Sequence, residues 1–186
     1  GVAAGSPFHL TEYFGPVLGI MTAKTLEEAT ALVNAIDYGL TSGLHSLDED
    51  EVAQWLATVQ AGNLYVNRGT TGAIVQRQPF GGWKKAAVGA GTKAGGPSYL
   101  IGLSDWVDAP IAADAPTDAL SKAALVAAGD LSGEDAAWLA GALSTDVAAW
   151  AAEFGAVVDA TGLETEQNAL RYDAVPVTVR IEDATA

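Results

Sequence analysis

The stretch Leu40-Thr41-Ser42-Gly43-Leu44-His45-Ser46-Leu47-Asp48-Glu49-Asp50-Glu51-Val52-Ala53-Gln54-Trp55-Leu56-Ala57-Thr58-Val59-Gln60-Ala61-Gly62-Asn63-Leu64-Tyr65-Val66-Asn67 decides the architecture. Residues 40–46 and 63–67 are short runs bounded by polar residues and glycine, and each reads as a strand. Between them, residues 48–60 open on four acids, which suits the positive end of a helix. They also set Val52, Trp55, Leu56 and Val59 on one helical stripe. Strand, helix and strand at this spacing predict a βαβ unit with a parallel pair.

The pattern extends on both sides. Residues 16–22, Pro-Val-Leu-Gly-Ile-Met-Thr, predict an earlier strand. Thr25-Leu26-Glu27-Glu28 has capping-box spacing, with Thr25 accepting a backbone N–H and Glu28 reaching back. The helix it starts carries Ala29, Leu32, Val33 and Ile36 and stops at Gly39. After a long glycine-rich loop, residues 99–103 predict a further strand. The fold class expected is α/β, built of parallel βαβ units.

Composition changes near Trp106. Residues 1–106 hold nine acids and six bases; residues 107–186 hold fourteen acids, three bases and 23 alanines. The Pro/Ala/Asp-rich residues 107–117 read as a linker between a domain at 1–106 and an acidic, mostly helical appendage at 118–186. Residues 118–128 and 132–143 have helical caps and spacing, and 145–158 continues the pattern with Val147, Trp150, Phe154 and Val157. Residues 175–181 alternate as an edge strand should.

The 186 residues carry a formal net charge of −14, which argues against nucleic acid or an anionic membrane as a partner. No apolar run is long enough to span a bilayer, so a soluble, cytoplasmic protein is expected. With no cysteine, the chain has no disulfide, thiolate metal site or cysteine nucleophile. The first residue is Gly1 and the only methionine is Met21, which suggests a piece of a longer protein.

Two runs could carry chemistry. In Glu12-Tyr13-Phe14-Gly15-Pro16-Val17-Leu18, a carboxylate beside a Gly-Pro turn at a sheet's end could accept both hydroxyls of a sugar cis-diol. On these residues alone, a solvated loop glutamate beside a core phenylalanine is the plainer reading. The glycine-rich run from Thr71-Gly72-Ala73 through Phe80-Gly81-Gly82 to Gly95-Gly96-Pro97 could hold a carboxylate or phosphate on its amides, or be a long surface loop. It lacks the spacing of a phosphate-binding loop or a dinucleotide fingerprint.

The remaining candidates read more simply. Lys84-Lys85 reads as a solvated pair, and His45 as a structural histidine. Acids 48–51 suit a helix start and lack calcium-loop spacing, while Trp138 and Trp150 read as core anchors. His9 and His45 alone leave no metal site.

Taken together, four runs closely resemble the C-terminal part of the aldehyde dehydrogenase superfamily in residues, order and spacing, across residues 8–106. They are the Glu12 run, Asp37-Tyr38-Gly39-Leu40-Thr41-Ser42-Gly43-Leu44, Gly62-Asn63-Leu64-Tyr65-Val66-Asn67 and Gln78-Pro79-Phe80-Gly81-Gly82. Thr71-Gly72-Ala73-Ile74-Val75 and Lys93-Ala94-Gly95-Gly96-Pro97-Ser98-Tyr99-Leu100 look like the Δ1-pyrroline-5-carboxylate (glutamate semialdehyde) dehydrogenases, most like the form fused to proline dehydrogenase in bacterial bifunctional proteins of the proline utilisation A type. Residues 164–181 resemble the end of such chains less specifically.

The resemblance implies that Glu12 binds the nicotinamide ribose of NAD and that Phe14 packs beside it. Gly72 and Ala73 would hold the substrate α-carboxylate, and Phe80 would cover its methylene chain. Residues 99–103 would be a dimerisation strand, so a homo-oligomer is expected. FAD would belong only to a fused proline dehydrogenase domain outside this chain. The family's cysteine nucleophile, general-base glutamate, oxyanion asparagine and dinucleotide-binding domain all lie before the Glu12 motif. Ala86 replaces an expected serine, and Tyr13 a more usual isoleucine.

Without a thiolate this chain alone cannot turn over, and it has no catalytic residue of its own. The complete enzyme would oxidise L-glutamate γ-semialdehyde to L-glutamate with NAD in proline catabolism. The alternative is a non-catalytic binding or assembly module of a larger protein.

Overall fold

In the computed structural model, which describes residues 1–89, 92–107 and 116–175, the expected βαβ unit is present. Strand β2 (Thr41–Leu44) pairs in parallel with β3 (Asn63–Val66), Thr41 opposite Asn63 and Leu44 opposite Val66, and helix α3 (Glu49–Thr58) makes the crossover. Asp48 caps α3 by accepting the Asp50 and Glu51 N–H groups, and Glu49, Asp50 and Glu51 occupy the first turn, where the helix dipole favours acids. The core lies where α3 meets the strands: Trp55, Val59, Ala61 and Tyr65 are its buried hydrophobic residues.

Helix α2 (Leu26–Asn34) starts where the capping box places it. Thr25 Oγ1 accepts the Glu28 N–H at 3.1 Å, while Glu28 reaches back one residue further than expected, to the Lys24 N–H at 2.7 Å. Ahead of it, the short helix α1 (Pro7–Leu10) is capped by Ser6. A two-residue strand, β1 (Tyr38–Gly39), pairs antiparallel with β4 (Trp83–Lys84). The α/β class therefore holds, with one parallel and one antiparallel pair among the described residues.

Two expected strands are absent. Residues 16–22 run without ladder partners: the Val17 N–H turns back to Gly15 O and the Val2 N–H donates to Ile20 O, both at 2.8 Å; an apolar run becomes a strand only when a neighbour takes its backbone groups. Residues 99–103 close on themselves instead, in turns leading to a 3₁₀ turn at Ile101–Leu103. The Ile101 N–H bonds Ser98 O and the Leu103 N–H bonds Leu100 O, so their backbone groups are consumed locally and no dimerisation strand forms.

The chain divides into two units, Gly1–Ser104 and Asp105–Ala186. In the second, Asp118 caps α4 (Ala119–Ala127) and Ser132 caps α5 (Gly133–Ala149). Residues 132–143 and 145–158 do not form two helices: α5 runs through 145 and passes into a π-helical turn at Trp150–Phe154. Trp138 and Trp150 are 62% and 50% exposed, so neither is a core anchor as expected. The continuous helix turns them outward. Linker residues 108–115 and the expected strand beyond Val175 lie outside the described residues.

Candidate functional site

Residues on the first unit form two groups. The first is carried by the extended segment after α1. Thr11 and Tyr13 line a hollow of about 250 Å³ together with Phe8 and Val17, and Tyr13 stacks on Phe8 at 5.3 Å. Glu12 and Phe14 do not line it. Both are exposed, Phe14 to 96%, and the Glu12 carboxylate makes no hydrogen bond to the described residues. Phe14 is not a core phenylalanine. The segment is fixed to α2 by His9, whose Nδ1 accepts the Gly5 N–H at 3.0 Å and whose Nε2 donates to Leu32 O at 2.8 Å.

The second group lies on the loop that leaves the C-terminal end of β3, the end at which open α/β sheets bind ligands. Asn67 sits there with φ +56° and ties β3 to the exit of β2, its Oδ1 accepting the Ser46 N–H at 3.0 Å and its Nδ2 donating to Ser46 O at 2.8 Å. Further on, residues 74–78 close a turn. The Arg77 and Gln78 N–H groups donate to Ile74 O, and Gln78 Oε1 accepts the Ile74 N–H at 3.1 Å.

Gly72 and Ala73 lead into this closed turn, and Pro79 and Phe80 follow it. Gly72 takes φ +79°, which glycine adopts without strain. The Gly72 and Ala73 N–H groups donate to nothing among the described residues, while that of Ile74 is satisfied. A pair of uncommitted amides on a closed turn can receive a carboxylate.

The loop then returns to the N-terminal end of β3. Asn63 Nδ2 donates to Pro79 O at 3.0 Å, and its Oδ1 accepts the Gly81 N–H at 3.1 Å. Lys93 Nζ donates to Gly62 O, to Gly81 O at 2.8 Å and to Asn63 Oδ1 at 3.2 Å. Burial holds the Lys93 amine below its ordinary pKa. Neither side chain was singled out from the sequence; a lysine inside an otherwise glycine-rich run was the available signal. No hydrogen bond or ring contact among the described residues links this loop to the Glu12–Phe14 pair.

The lysine pair at 84–85 is not simply solvated. Lys84, with φ +53°, donates to Asn34 O at 2.5 Å and Ile36 O at 3.0 Å, so it closes the C-terminal end of α2. Lys85 pairs with Asp37, which lowers the carboxyl pKa and raises that of the amine; the pair is exposed. His45 lies just past β2, exposed, and its side chain takes no hydrogen bond among the described residues. Among the described residues no cluster of acids and histidines is arranged for a metal ion, and no helix is long and apolar enough to cross a membrane.

The sequence pattern of the aldehyde dehydrogenase family matches residues 1–104, more than half of the chain, and the chain belongs to that family. Among curated relatives, the 1-pyrroline-5-carboxylate dehydrogenase of Bacillus thuringiensis (strain Al Hakam) is 46% identical over 89 residues, covering 48% of this chain and 17% of that protein. Among solved structures, proline utilization A from Corynebacterium freiburgense is 48% identical with a TM-score of 0.78, covering 91% of this chain and 17% of that one; the match extends past residue 104. A 1-pyrroline-5-carboxylate dehydrogenase from Thermus with bound NAD is 38% identical with a TM-score of 0.51, covering 54% of this chain and 19% of that one. The chain thus spans 17% of the length of the curated relatives it matches.

Proposed function

We propose that residues 1–106 are the C-terminal part of an NAD-dependent dehydrogenase that oxidises L-glutamate γ-semialdehyde to L-glutamate in proline catabolism. The observation that carries this reading is the pair of uncommitted amides at Gly72 and Ala73, on a turn whose own polar groups are closed by Gln78. They would donate to the α-carboxylate that distinguishes this aldehyde from simple ones, and Phe80 would cover its methylene chain.

The Glu12–Phe14 face fits NAD. A carboxylate free of internal partners can accept both ribose hydroxyls, and the exposed ring of Phe14 offers a flat apolar surface beside them. NAD, when bound, supplies the hydride acceptor. The thiol that attacks the aldehyde has no candidate in this chain and would come from a preceding part of a longer cytoplasmic protein. FAD would serve only a fused proline dehydrogenase domain outside these residues. The exposed apolar side chains of Phe14, Leu18 and Ile20 would make the isolated chain self-associate.

The test is an assay of NADH formation by the longer polypeptide of which this chain would be the end. L-glutamate γ-semialdehyde should be oxidised far better than an aldehyde of equal length lacking the α-carboxylate. Phe80→Ala, which removes the ring over the methylene chain, should raise the KM for the first by about tenfold. Equal use of the two aldehydes would overturn the reading.

A further inference from the structure

We propose that Lys93 is a positioning residue that fixes Phe80 by clamping the backbone that follows it, at Gly81, to the start of β3; this rests on the role given to Phe80 above. Five consecutive main-chain groups around that ring are satisfied by three residues. Pro79 O receives Asn63 Nδ2. Phe80 N–H and O exchange bonds with Ala94 at 3.0 and 2.8 Å. Gly81 N–H goes to Asn63 Oδ1, and Gly81 O receives Lys93 Nζ.

The ammonium of Lys93 has three N–H groups and three acceptors: Gly62 O, Asn63 Oδ1 and Gly81 O. All three are neutral oxygens. A solvated surface lysine would not gather them, and a lysine recruited for an ion pair would face a carboxylate. What it joins is the start of β3, through Gly62 and Asn63, and the segment that carries Phe80. Burial disfavours the charged form of this amine, so the oxygens are what keep the cation there.

The two backbone segments approach closely here. A Cβ on Gly62 would lie 1.9 Å from Gly81 O, and one on Gly81 would lie 3.0 Å from Lys93 Cγ. Backbone therefore meets backbone directly, with the lysine stem laid across the contact. Phe80 keeps 37% of its surface exposed while its main chain is held. Such a ring can present one face to a ligand with less of its main chain left to be ordered on binding. The clamp would act on how the aldehyde's chain is held, not on the chemical step.

Two measurements test this. In the longer polypeptide, Lys93→Met keeps the stem and removes the three donors; it should raise the KM for the semialdehyde about tenfold while leaving kcat and the KM for NAD within about twofold. In a Phe80→Ala background the same substitution should add less than about twofold, because the residue it acts through is gone. An unchanged KM, or a full effect added to Phe80→Ala, overturns the proposal. Should the parent polypeptide fail to oxidise the semialdehyde at all, the preceding function falls, and the clamp is judged on the second measurement.

That measurement needs no activity. Chymotrypsin cleavage of this 186-residue chain after Phe80, relative to cleavage after the exposed Phe14, should rise at least about fivefold in Lys93→Met, as local opening near Phe80 becomes easier. An unchanged ratio overturns the clamp. So does accelerated cleavage at both sites alike, which would make Lys93 a support of the whole unit.

Discussion

Asn34, at the end of α2, and Gln60, just past α3, are joined by a 2.9 Å hydrogen bond from the Gln60 N–H to Asn34 Oδ1, and the same side chain donates through Nδ2 to Thr58 O at 2.8 Å. One amide thus satisfies a donor and an acceptor where α3 ends, and locks the two helices at a common end. Asn34→Leu removes both bonds and should lower stability by about 1–2 kcal/mol, read from the urea unfolding midpoint. Asn34→Asp keeps the acceptor and loses the donor, and should lose about half as much near neutral pH. Equal midpoints for all three proteins would show that water replaces the amide without cost.

Tyr65 is 3% exposed, and its hydroxyl has no partner among the described residues, although Arg68 lies 5.3 Å over its ring. A buried hydroxyl without a partner costs free energy, while the ring's apolar burial is unaffected by its removal. Tyr65→Phe in this chain should leave stability unchanged or raise it by up to about 1 kcal/mol, measured by thermal unfolding. If the chain is the end of a longer polypeptide that supplies the missing partner, the same substitution there should destabilise.

The residues that could be read without the structure are those whose partners are close in sequence. Thr25, Asp48, Asp118 and Ser132 each cap a helix through an N–H two or three residues on, so the cap and the periodicity behind it were visible together. The strand expected at 16–22 was not decided locally, because pairing depends on a neighbour that apolar spacing does not name. Lys84 looked like half of a solvated pair, yet its acceptors are Asn34 O and Ile36 O, about fifty residues away. Lys93 is the same case within the candidate site: Gly72, Ala73 and Phe80 could be singled out by motif, whereas the side chain that holds their loop finds its partners only in three dimensions.

Asp159 contributes to the acid response of the second unit. Its carboxylate accepts the Thr161 hydroxyl at 2.7 Å, the Asn168 N–H at 2.9 Å and the Thr161 N–H at 2.9 Å, with the Gly162 N–H at 3.3 Å, and these hold its pKa at about 2. The folded value lies below the unfolded one, so this contribution to stability is complete above about pH 4 and is lost as pH falls toward 2. The amide resonances of Thr161 and Asn168 should titrate together with a midpoint of about 2. Asp159→Asn should abolish that titration and flatten the acid limb of the stability curve. A midpoint near 4 would show that the four donors do not favour the ionised form.

Gly62 tests whether the close approach beneath Phe80 is required. A methyl there would stand 1.9 Å from Gly81 O and 2.8 Å from the Gly81 and Gly82 carbonyl carbons, contacts with backbone that no side-chain rotation relieves. Either the segment moves off β3, losing the Asn63 and Lys93 bonds, or the start of β3 shifts. Overpacking of this kind costs about 1–3 kcal/mol, and the lost hydrogen bonds add to it. Gly62→Ala should therefore destabilise the first unit by at least about 2 kcal/mol in urea unfolding. Gly69→Ala is the control, since its added methyl meets nothing within 4 Å. Equal midpoints for the two alanine variants would show that the Gly81 segment yields freely, and that the bonds from Asn63 and Lys93 do not hold it.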